Sequence, residues 1–284
     1  MVGRWGYYFI LPGYVLFVLF SLIPMFQAFM LSFYDAKLTT QTFIGVKNYA
    51  AIFKDPVFIK TLWNTAIYTI IIVPAHIVIS LFIAVVLSSC SNKAQSFYRA
   101  AFYLPNVLGG VIVASVWLYI FHPLYGMLNY FVTLLGASPI SWLSAPGIAK
   151  YSLSFVVVTW TIGQSVIIFL AGMGGIPQEL YEAAYIDGST DCKNFFYITL
   201  PLLRPVTSFV LTTQLIGIFQ LWEVVYMLTE GGPANSTSSL VFYIYKTAFE
   251  RGKYGAASAQ GMILLVIIML MTLVSLRLTR EKTE

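Results

Sequence analysis

The stretch EAAYIDGSTDCKNFFYITLP, residues 182–201, is a polar segment between two long apolar regions and has the pattern of ordered structure. Residues 178–187 are mostly good helix formers, and Gly188 can adopt the left-handed conformation that ends a helix. One of residues 189–191 can then cap a second helix, which ends at Pro201. The segment is therefore predicted to be a helix, a glycine bend and a second helix, too polar to enter lipid.

The composition of the whole chain indicates a membrane protein. It has 284 residues, of which 59% are hydrophobic and only 10% are charged, whereas soluble domains carry about 25% charged residues. The net charge of +5 is spread thinly along the chain and gives no basic patch dense enough for nucleic acid. The two cysteines suggest neither a disulfide framework nor a metal site.

Uncharged stretches predict an all-α, polytopic fold with six spanning helices, since about 20 apolar residues suffice for each span. They form a single transmembrane domain, residues 1–284, in which loop 174–204 joins the fourth and fifth spans. The short segment Met127 to Leu135 cannot cross and is expected at the membrane interface or on a partner. The predicted spans are about residues 7–31, 62–88, 102–121, 151–173, 205–229 and 254–276.

The polar segment resembles the EAA loop of bacterial ABC importer membrane subunits, the permeases. The match keeps the spacing of Glu-Ala-Ala, then Gly, then Ile, then Leu-Pro over twenty positions. The resemblance implies a coupling helix that docks into a groove on a cytoplasmic ATPase. The residues alone also permit a capped helix that merely ties two spans together. The coupling residues implied by the resemblance are Glu182, Ala183, Ala184, Gly188, Ile198, Leu200 and Pro201.

Four further segments extend the resemblance over most of the chain from Ala100 onward. Residues 102–105, 176–181, 226–233 and 245–259 are similar to the carbohydrate-uptake branch of these permeases, of the maltose and glycerol-phosphate type. This resemblance implies a type I permease fold that carries a sugar or oligosaccharide by alternating access. It also implies four partners: a second, non-identical permease, two copies of an ABC ATPase, an extracytoplasmic sugar-binding protein and membrane lipid.

Charge alone does not orient the chain. The sixteen Lys and Arg residues divide equally between the two sides of a six-span arrangement, although they cluster more densely on the side of the termini. The resemblance favours the bacterial inner membrane, with both termini and the coupling loop in the cytoplasm. A secondary transporter or channel for a small polar solute stays open as an alternative, although it would usually carry more ionisable residues within its spans.

No catalytic constellation is found in the sequence, and no cofactor is predicted. A G-x-x-x-x-G-K phosphate-binding loop is missing, and residues 163–167 fail the nucleophile-elbow pattern at their last position. We therefore expect a transport subunit that is not an enzyme and whose ATP hydrolysis comes from a separate ATPase chain.

Two predicted helix faces combine aromatic rings with amide and carboxyl groups, the two chemistries that sugars need. Helical spacing groups three residues of the fourth span and three of the fifth, the latter flanked by a glutamine and a tryptophan. The alternative is that the tryptophans are packing or belt residues and that the glutamate reaches interfacial water. The predicted substrate-path residues are Trp160, Gly163, Gln164, Phe219, Gln220, Trp222, Glu223 and Tyr226.

Two other features have open interpretations. His76 lies within a predicted span, where an ionisable residue suggests function, but a packing residue with satisfied hydrogen bonds is favoured because the same span has no carboxylate. The polar turn from Thr229 to Ser239, with the amphipathic run from Leu240 to Phe249, is expected outside the membrane. It either receives the binding protein or is a solvated connector.

Overall fold

The computed structural model describes residues 3–279, with side chains from 8 to 277, and this part of the chain is almost entirely helical. Its helices are α1 Gly3–Phe17, α2 Ile23–Leu31, α3 Lys47–Ile52, α4 Pro56–Ser88, α5 Asn92–Val107, α6 Gly110–Ile120, α7 Met127–Leu134, α8 Pro146–Gly174, α9 Gln178–Ile186, α10 Asp191–Asn194, α11 Leu200–Leu202, α12 Arg204–Phe219, α13 Glu223–Thr229, α14 Leu240–Tyr245 and α15 Tyr254–Thr279. Three π-helical segments are Val18–Leu22, Phe195–Thr199 and Lys246–Glu250. A short antiparallel hairpin pairs β1, Tyr34–Ala36, with β2, Gln41–Phe43.

Within the described residues, four helices are long and apolar enough to cross a membrane: Tyr8–Leu31, α4, α8 and Tyr254–Arg277. Two bent helix pairs pass the same test as units, namely α5 with α6 and Asp191–Leu202 with α12. The total reaches six if each bent pair is one span, and the all-α, polytopic prediction is confirmed.

The third predicted span, residues 102–121, is not one continuous helix. It comprises the end of α5 and all of α6, and the two helices meet at an angle of 93°. Gly109 has a φ of +76° at the junction, a conformation that glycine adopts without the steric cost other residues incur. The uncharged sequence predicts apolar surroundings along this stretch but does not show where the backbone turns.

The fifth predicted span, residues 205–229, is interrupted as well. Helix α12 ends at Phe219 and α13 begins at Glu223, so residues 220–222 are not helical. The Ser239 hydroxyl donates a hydrogen bond to the Leu221 carbonyl oxygen at 2.5 Å. This bond matters because a carbonyl released from a helix inside a membrane has no water to pair with.

The described chain forms two compact units. The first comprises the described residues up to Ile59 together with Tyr243–Ile267, and the second comprises Lys60–Phe242 with the described residues from Ile268 onward. In the second unit, five helices each contribute a side chain with no exposed surface to the core. These side chains are Tyr68 of α4, Ala114 of α6, Val156 of α8, Val210 of α12 and Val224 of α13.

A three-residue polar cluster joins distant segments of the first unit. The Tyr243 hydroxyl donates to Asp55 Oδ2 at 2.5 Å, and Arg251 Nη1 donates to the Tyr243 oxygen at 3.0 Å. Asp55 Oδ1 also accepts the Val57 N–H at 2.9 Å, at the start of α4. Burial and the hydrogen bond to Asp55 raise the pKa of Tyr243, against the lowering effect of Arg251. The cluster thereby fixes α14 to the first turn of α4.

The polar turn after α13 is folded against α4 and is largely buried. Asn64 Nδ2 donates to the carbonyl oxygens of Asn235 at 2.9 Å and Ser238 at 3.0 Å. The Tyr68 hydroxyl donates to the Thr237 carbonyl at 2.8 Å, and residues 236–239 are all buried. Of the two interpretations left open for this turn, a solvated connector does not fit these four residues, since α4 and neighbouring segments exclude water from each of them.

The α5 and α8 backbones approach each other closely at Gly163. A Cβ atom there would overlap the Phe102 carbonyl oxygen and lie 2.8 Å from the Tyr103 Cα. Because both obstacles are backbone atoms, no side-chain rotation can relieve the clash. Gly163 is thus required for the packing of α8 against α5, and the α5 backbone fills the space beside it.

We predict that Gly163→Ala destabilises the subunit by about 1–3 kcal/mol, the usual effect of overpacking a core. The measurement is the thermal unfolding midpoint in detergent, compared with that of Gly174→Ala in the same helix. A Cβ at Gly174 would meet no atom within 4 Å, so this control should unfold like the wild type. Equal midpoints for the two variants would contradict the close approach of α5 and α8.

A second prediction concerns the buried turn. Asn64→Leu should cost about 2–3 kcal/mol because it leaves two buried carbonyl groups without their donor. Lys60→Met is the matched control, since Lys60 Nζ donates to the Ala234 carbonyl at 2.8 Å in an exposed setting where water can replace it. Both variants are measured by thermal unfolding and by proteolysis of the turn. If Lys60→Met loosens the turn as much as Asn64→Leu, the buried hydrogen bonds do not hold it.

Candidate functional site

The polar segment has the predicted helix, glycine bend and second helix. Helix α9 is followed by Gly188 with a φ of +77°, where the Gly188 N–H bonds the Tyr185 carbonyl at 3.0 Å. The Ser189 N–H bonds the Ala184 carbonyl at 2.9 Å, which completes a glycine-based C-terminal cap. The Thr190 side chain accepts the Lys193 N–H and caps α10. The glycine bend thus sets the direction in which the second helix leaves the first.

Two tyrosine hydroxyls brace the bend. The Tyr181 and Thr199 hydroxyls are 2.8 Å apart and share one hydrogen bond between α9 and the second helix. The Tyr185 hydroxyl donates to the Asp191 carboxylate across the bend itself. This hydrogen bond is the main cause that raises the pKa of the exposed Tyr185 side chain. Both contacts join residues on opposite sides of Gly188, so the two helices are held as one folded element.

The predicted coupling residues are all accessible to a partner. Ile186, which the sequence analysis did not include among the coupling residues, is also accessible: its side chain is 87% exposed at the last position of α9. It stands one helical turn after Glu182, and this spacing could have indicated it. The predicted residues are exposed or half-buried, namely Glu182, Ala183, Ala184, Gly188, Ile198, Leu200 and Pro201.

A second candidate site is a cavity of about 490 Å³ in the second unit, here called the aromatic cavity. It lies between α8, α12 and the break that follows α12, and its volume falls within the range of about 300–1,000 Å³ usual for small-molecule sites. Four of the predicted substrate-path residues line it: Trp160, Gln220, Trp222 and Glu223. The structure adds Val157, Thr161, Gln214, Gly217, Ile218, Leu221 and Val241.

The other four predicted residues lie outside this lining. Gly163 faces the α5 backbone, Gln164 is exposed and Phe219 is buried. Tyr226 stacks on Trp222, with ring centroids 5.2 Å apart and an angle of 11° between the rings. The structure therefore brings together half of the predicted path and places Tyr226 as a support for one of its rings.

The assumed helix faces account for these differences. The break at residues 220–222 interrupts the helical phase, so Phe219 and Tyr226 do not share the face that continuous spacing assigns to them. On α8, Gly163 and Gln164 are about 100° apart around the helix axis with Trp160 between them, and this arc is wide enough for two different neighbours. Gln214 was missed because it lies two turns before the break, on a part of α12 that the sequence analysis did not consider.

Gly110 forms the packing surface for two groups of the aromatic cavity. The Glu223 carboxyl packs against Gly110, the first residue of α6, and the Trp160 ring reaches the same point. A Cβ on Gly110 would overlap Glu223 Oε2 and lie 2.6 Å from Trp160 Cη2. The Trp160 indole N–H is buried without a hydrogen-bond partner among the described residues. The Glu223 carboxyl and the Trp160 indole can therefore occupy these positions only because residue 110 is a glycine and has no side chain.

The chain matches a known family and its members over most of its length. Residues 49–281 match the family "Binding-protein-dependent transport system inner membrane component". The arabinooligosaccharides transport system permease protein AraP of Bacillus subtilis (strain 168) is 33% identical, over 96% of this chain and 88% of AraP. The lactose transport system permease protein LacF of Rhizobium radiobacter is 31% identical, over 98% of this chain and 94% of LacF.

A solved structure shares the fold. A chain of a bacterial ABC transporter involved in the import of the acidic polysaccharide alginate has a TM-score of 0.87 and 23% identity, covering 98% of this chain and 96% of that one. The resemblance stated from the sequence is thus confirmed, and the secondary-transporter and channel alternatives fall away. The chain belongs to the family of binding-protein-dependent transport system inner membrane components and is a multi-pass permease subunit of an ABC transporter.

Proposed function

We propose that this subunit carries a sugar or oligosaccharide through the aromatic cavity, in an importer that receives the substrate from an extracytoplasmic binding protein. The observation that carries the proposal is the lining of the cavity. Trp160 and Trp222 offer flat ring surfaces, while Gln214, Gln220 and Glu223 offer amide and carboxyl groups. Rings suit the C–H faces of a sugar, and the polar groups suit its hydroxyls. The relatives AraP and LacF, named for sugar transport, support the same substrate class.

The proposal places the chain in the bacterial inner membrane as one domain of six spans, residues 1–284. Both termini and loop 174–204 lie in the cytoplasm; the last five residues, with Arg280 and Lys282, are outside the described part of the chain. A second, non-identical permease completes the translocation path, and two copies of a separate ABC ATPase supply the hydrolysis. The other predicted path residues, Gly163, Gln164, Phe219 and Tyr226, act by packing or toward that second permease.

In this proposal the bend around Gly188 is the coupling element. Glu182, Ala183 and the neighbouring Ile186 form its accessible face, with a charged group beside a small residue and an apolar one. A groove on the ATPase can take up the apolar side chain while the helix backbone approaches closely at the alanine. Because Tyr181 and Tyr185 brace the bend, the displacement of α9 by a closing ATPase is transmitted to the second helix and from there toward α12.

The coupling role predicts different effects of two substitutions at Gly188. Gly188→Val forces a β-branched residue into a left-handed conformation, at a cost of about 1–2 kcal/mol or more, while a Cβ there would meet no atom within 4 Å. We expect normal membrane insertion but lost ATPase association or lost stimulation. Gly188→Asn is the control, since asparagine tolerates this conformation and should keep most of the activity. Transport at the wild-type rate by Gly188→Val would show that the bend does not couple.

The substrate class is tested by uptake into proteoliposomes that contain the complete complex and its binding protein, with radiolabelled arabinotriose, lactose and histidine. We expect import of at least one of the two sugars and none of histidine. Gly110→Ala should raise the KM for the imported sugar about tenfold, because the new Cβ displaces Glu223 and Trp160. Gly174→Ala, at the end of α8 and outside the cavity lining, is the matched control; a Cβ there meets no atom within 4 Å, so this variant should keep the wild-type KM.

Import of histidine with exclusion of both sugars would contradict the proposed substrate class. Import of a sugar with the same KM for Gly110→Ala as for the wild type would contradict the aromatic cavity as its site, while leaving the transport function in place.

A further inference from the structure

A chain of polar side chains crosses the second unit and reaches the aromatic cavity at both ends. His76 of α4 is fully buried, and its Nε2 lies 2.8 Å from Thr161 Oγ1 on α8. Its Nδ1 lies 3.5 Å from Ser165 Oγ, also on α8 and also buried. Gln214 Nε2 of α12 donates to Ser165 Oγ at 3.2 Å. Thr161 and Gln214, the two end members, both line the cavity.

The hydrogen bonds along this chain have one consistent direction. The Thr161 hydroxyl donates to the Val157 carbonyl at 2.9 Å, so its oxygen is left to accept, and His76 must donate from Nε2. His76 Nδ1 is then an acceptor, because a ring that donates from one nitrogen accepts at the other. Ser165 donates to that nitrogen and accepts from Gln214. Along this series of hydrogen bonds, from the Gln214 amide to the Val157 carbonyl, each donor thus has one acceptor.

This direction determines what each end presents to the cavity. Thr161 uses its single O–H on Val157 and receives a hydrogen bond from His76, so it has no donor left for a ligand. Gln214 uses one N–H of Nε2 on Ser165, which fixes the orientation of the amide and leaves Oε1 as an acceptor beside the second N–H. A sugar hydroxyl, as a donor, matches that oxygen.

We propose that His76 is the positioning residue of the aromatic cavity: through Ser165 it holds the Gln214 amide so that Oε1 accepts a hydrogen bond from a substrate hydroxyl. The inference rests on the proposed function, in which the cavity receives a sugar. His76, Ser165 and Gln214, here called the relay, belong to three different helices, α4, α8 and α12. The relay therefore also sets these helices in register at the cavity. His76 is therefore more than the satisfied packing residue that the sequence favoured.

The test separates the two sides of the imidazole in the complete complex, with radiolabelled arabinotriose and lactose as probes. His76→Asn places an amide near the Nδ1 position and can still accept from Ser165, whereas His76→Gln reaches toward the Nε2 position and loses Ser165. We expect His76→Gln, Ser165→Ala and Gln214→Leu to raise the sugar KM about tenfold, with less than a twofold change in maximal rate. A tenfold change corresponds to about 1.4 kcal/mol, the upper range of one hydrogen bond. His76→Asn should stay within about threefold of the wild-type KM.

Ser80→Ala is the matched control. Ser80 lies one turn after His76 on α4, is equally buried, and donates only to main-chain carbonyls of its own helix among the described residues. It removes a buried hydroxyl that reaches His76 only at its main-chain carbonyl, so the imidazole keeps both of its partners and the variant should keep the wild-type KM. A purely structural role for His76 would lower the unfolding midpoint and the yield of both His76 variants while leaving the KM of the surviving complexes unchanged, and that result would overturn the proposal.

A readout that needs no sugar keeps this test separate from the proposed function. The chain has only two histidines, so nitrogen-15 NMR of histidine-labelled protein resolves His76 from His122. We expect a protonated Nε2 and an unprotonated Nδ1 at His76, and a shift of the Nδ1 signal in Ser165→Ala that His122 does not share. A protonated Nδ1, or a signal that ignores Ser165→Ala, would refute the relay even if sugars are imported. The expected NMR result with no sugar imported would instead reject the substrate class and retain the relay.

Discussion

The pairing of backbone groups released where helices break is the constraint on which the rest of this structure depends. Inside a membrane an unpaired carbonyl costs several kcal/mol, so a break persists only where side chains replace the lost bonds. Ser239 does this for Leu221, at the break that places Trp222 and Glu223 beside the aromatic cavity. Ser239 is held in turn by the buried turn that Asn64 ties to α4. The cavity is therefore built by the turn as much as by the helices that line it.

The two candidate sites, the bend around Gly188 and the aromatic cavity, are connected through α12. The coupling segment leads through α10 and α11 into α12, and α12 carries Gln214 before it ends at the break. A displacement at the bend around Gly188 can thus reach the cavity along a single continuous stretch of chain. Gln214 is held by Ser165 of α8, so a shift of α12 against α8 would change the orientation of the amide. In the proposed mechanism this is how closure of the ATPase alters the affinity for the sugar.

Much of the fold follows from the sequence because its signals are local. Long uncharged stretches predict spans, and Gly188 between helix formers predicts the bend that the structure contains at a φ of +77°. The break after Phe219 was not predictable, since residues 220–222 contain neither glycine nor proline and the bond that supports it comes from Ser239, 18 residues away. Phe219 and Tyr226 were wrongly grouped for the same reason, since spacing on an unbroken helix gives the wrong neighbours beyond a break, whereas Gly163 and Gln164 face different neighbours on the unbroken α8.

The central claim is that a sugar occupies the aromatic cavity during transport. The most direct measurement is photo-crosslinking of the reconstituted complex with a diazirine derivative of whichever of arabinotriose and lactose it imports, followed by mass spectrometry of the labelled peptides. The account predicts adducts in two separate segments, residues 157–161 of α8 and 214–223 around the break, which unlabelled sugar suppresses. Efficient import of the derivative with adducts in neither segment would contradict it.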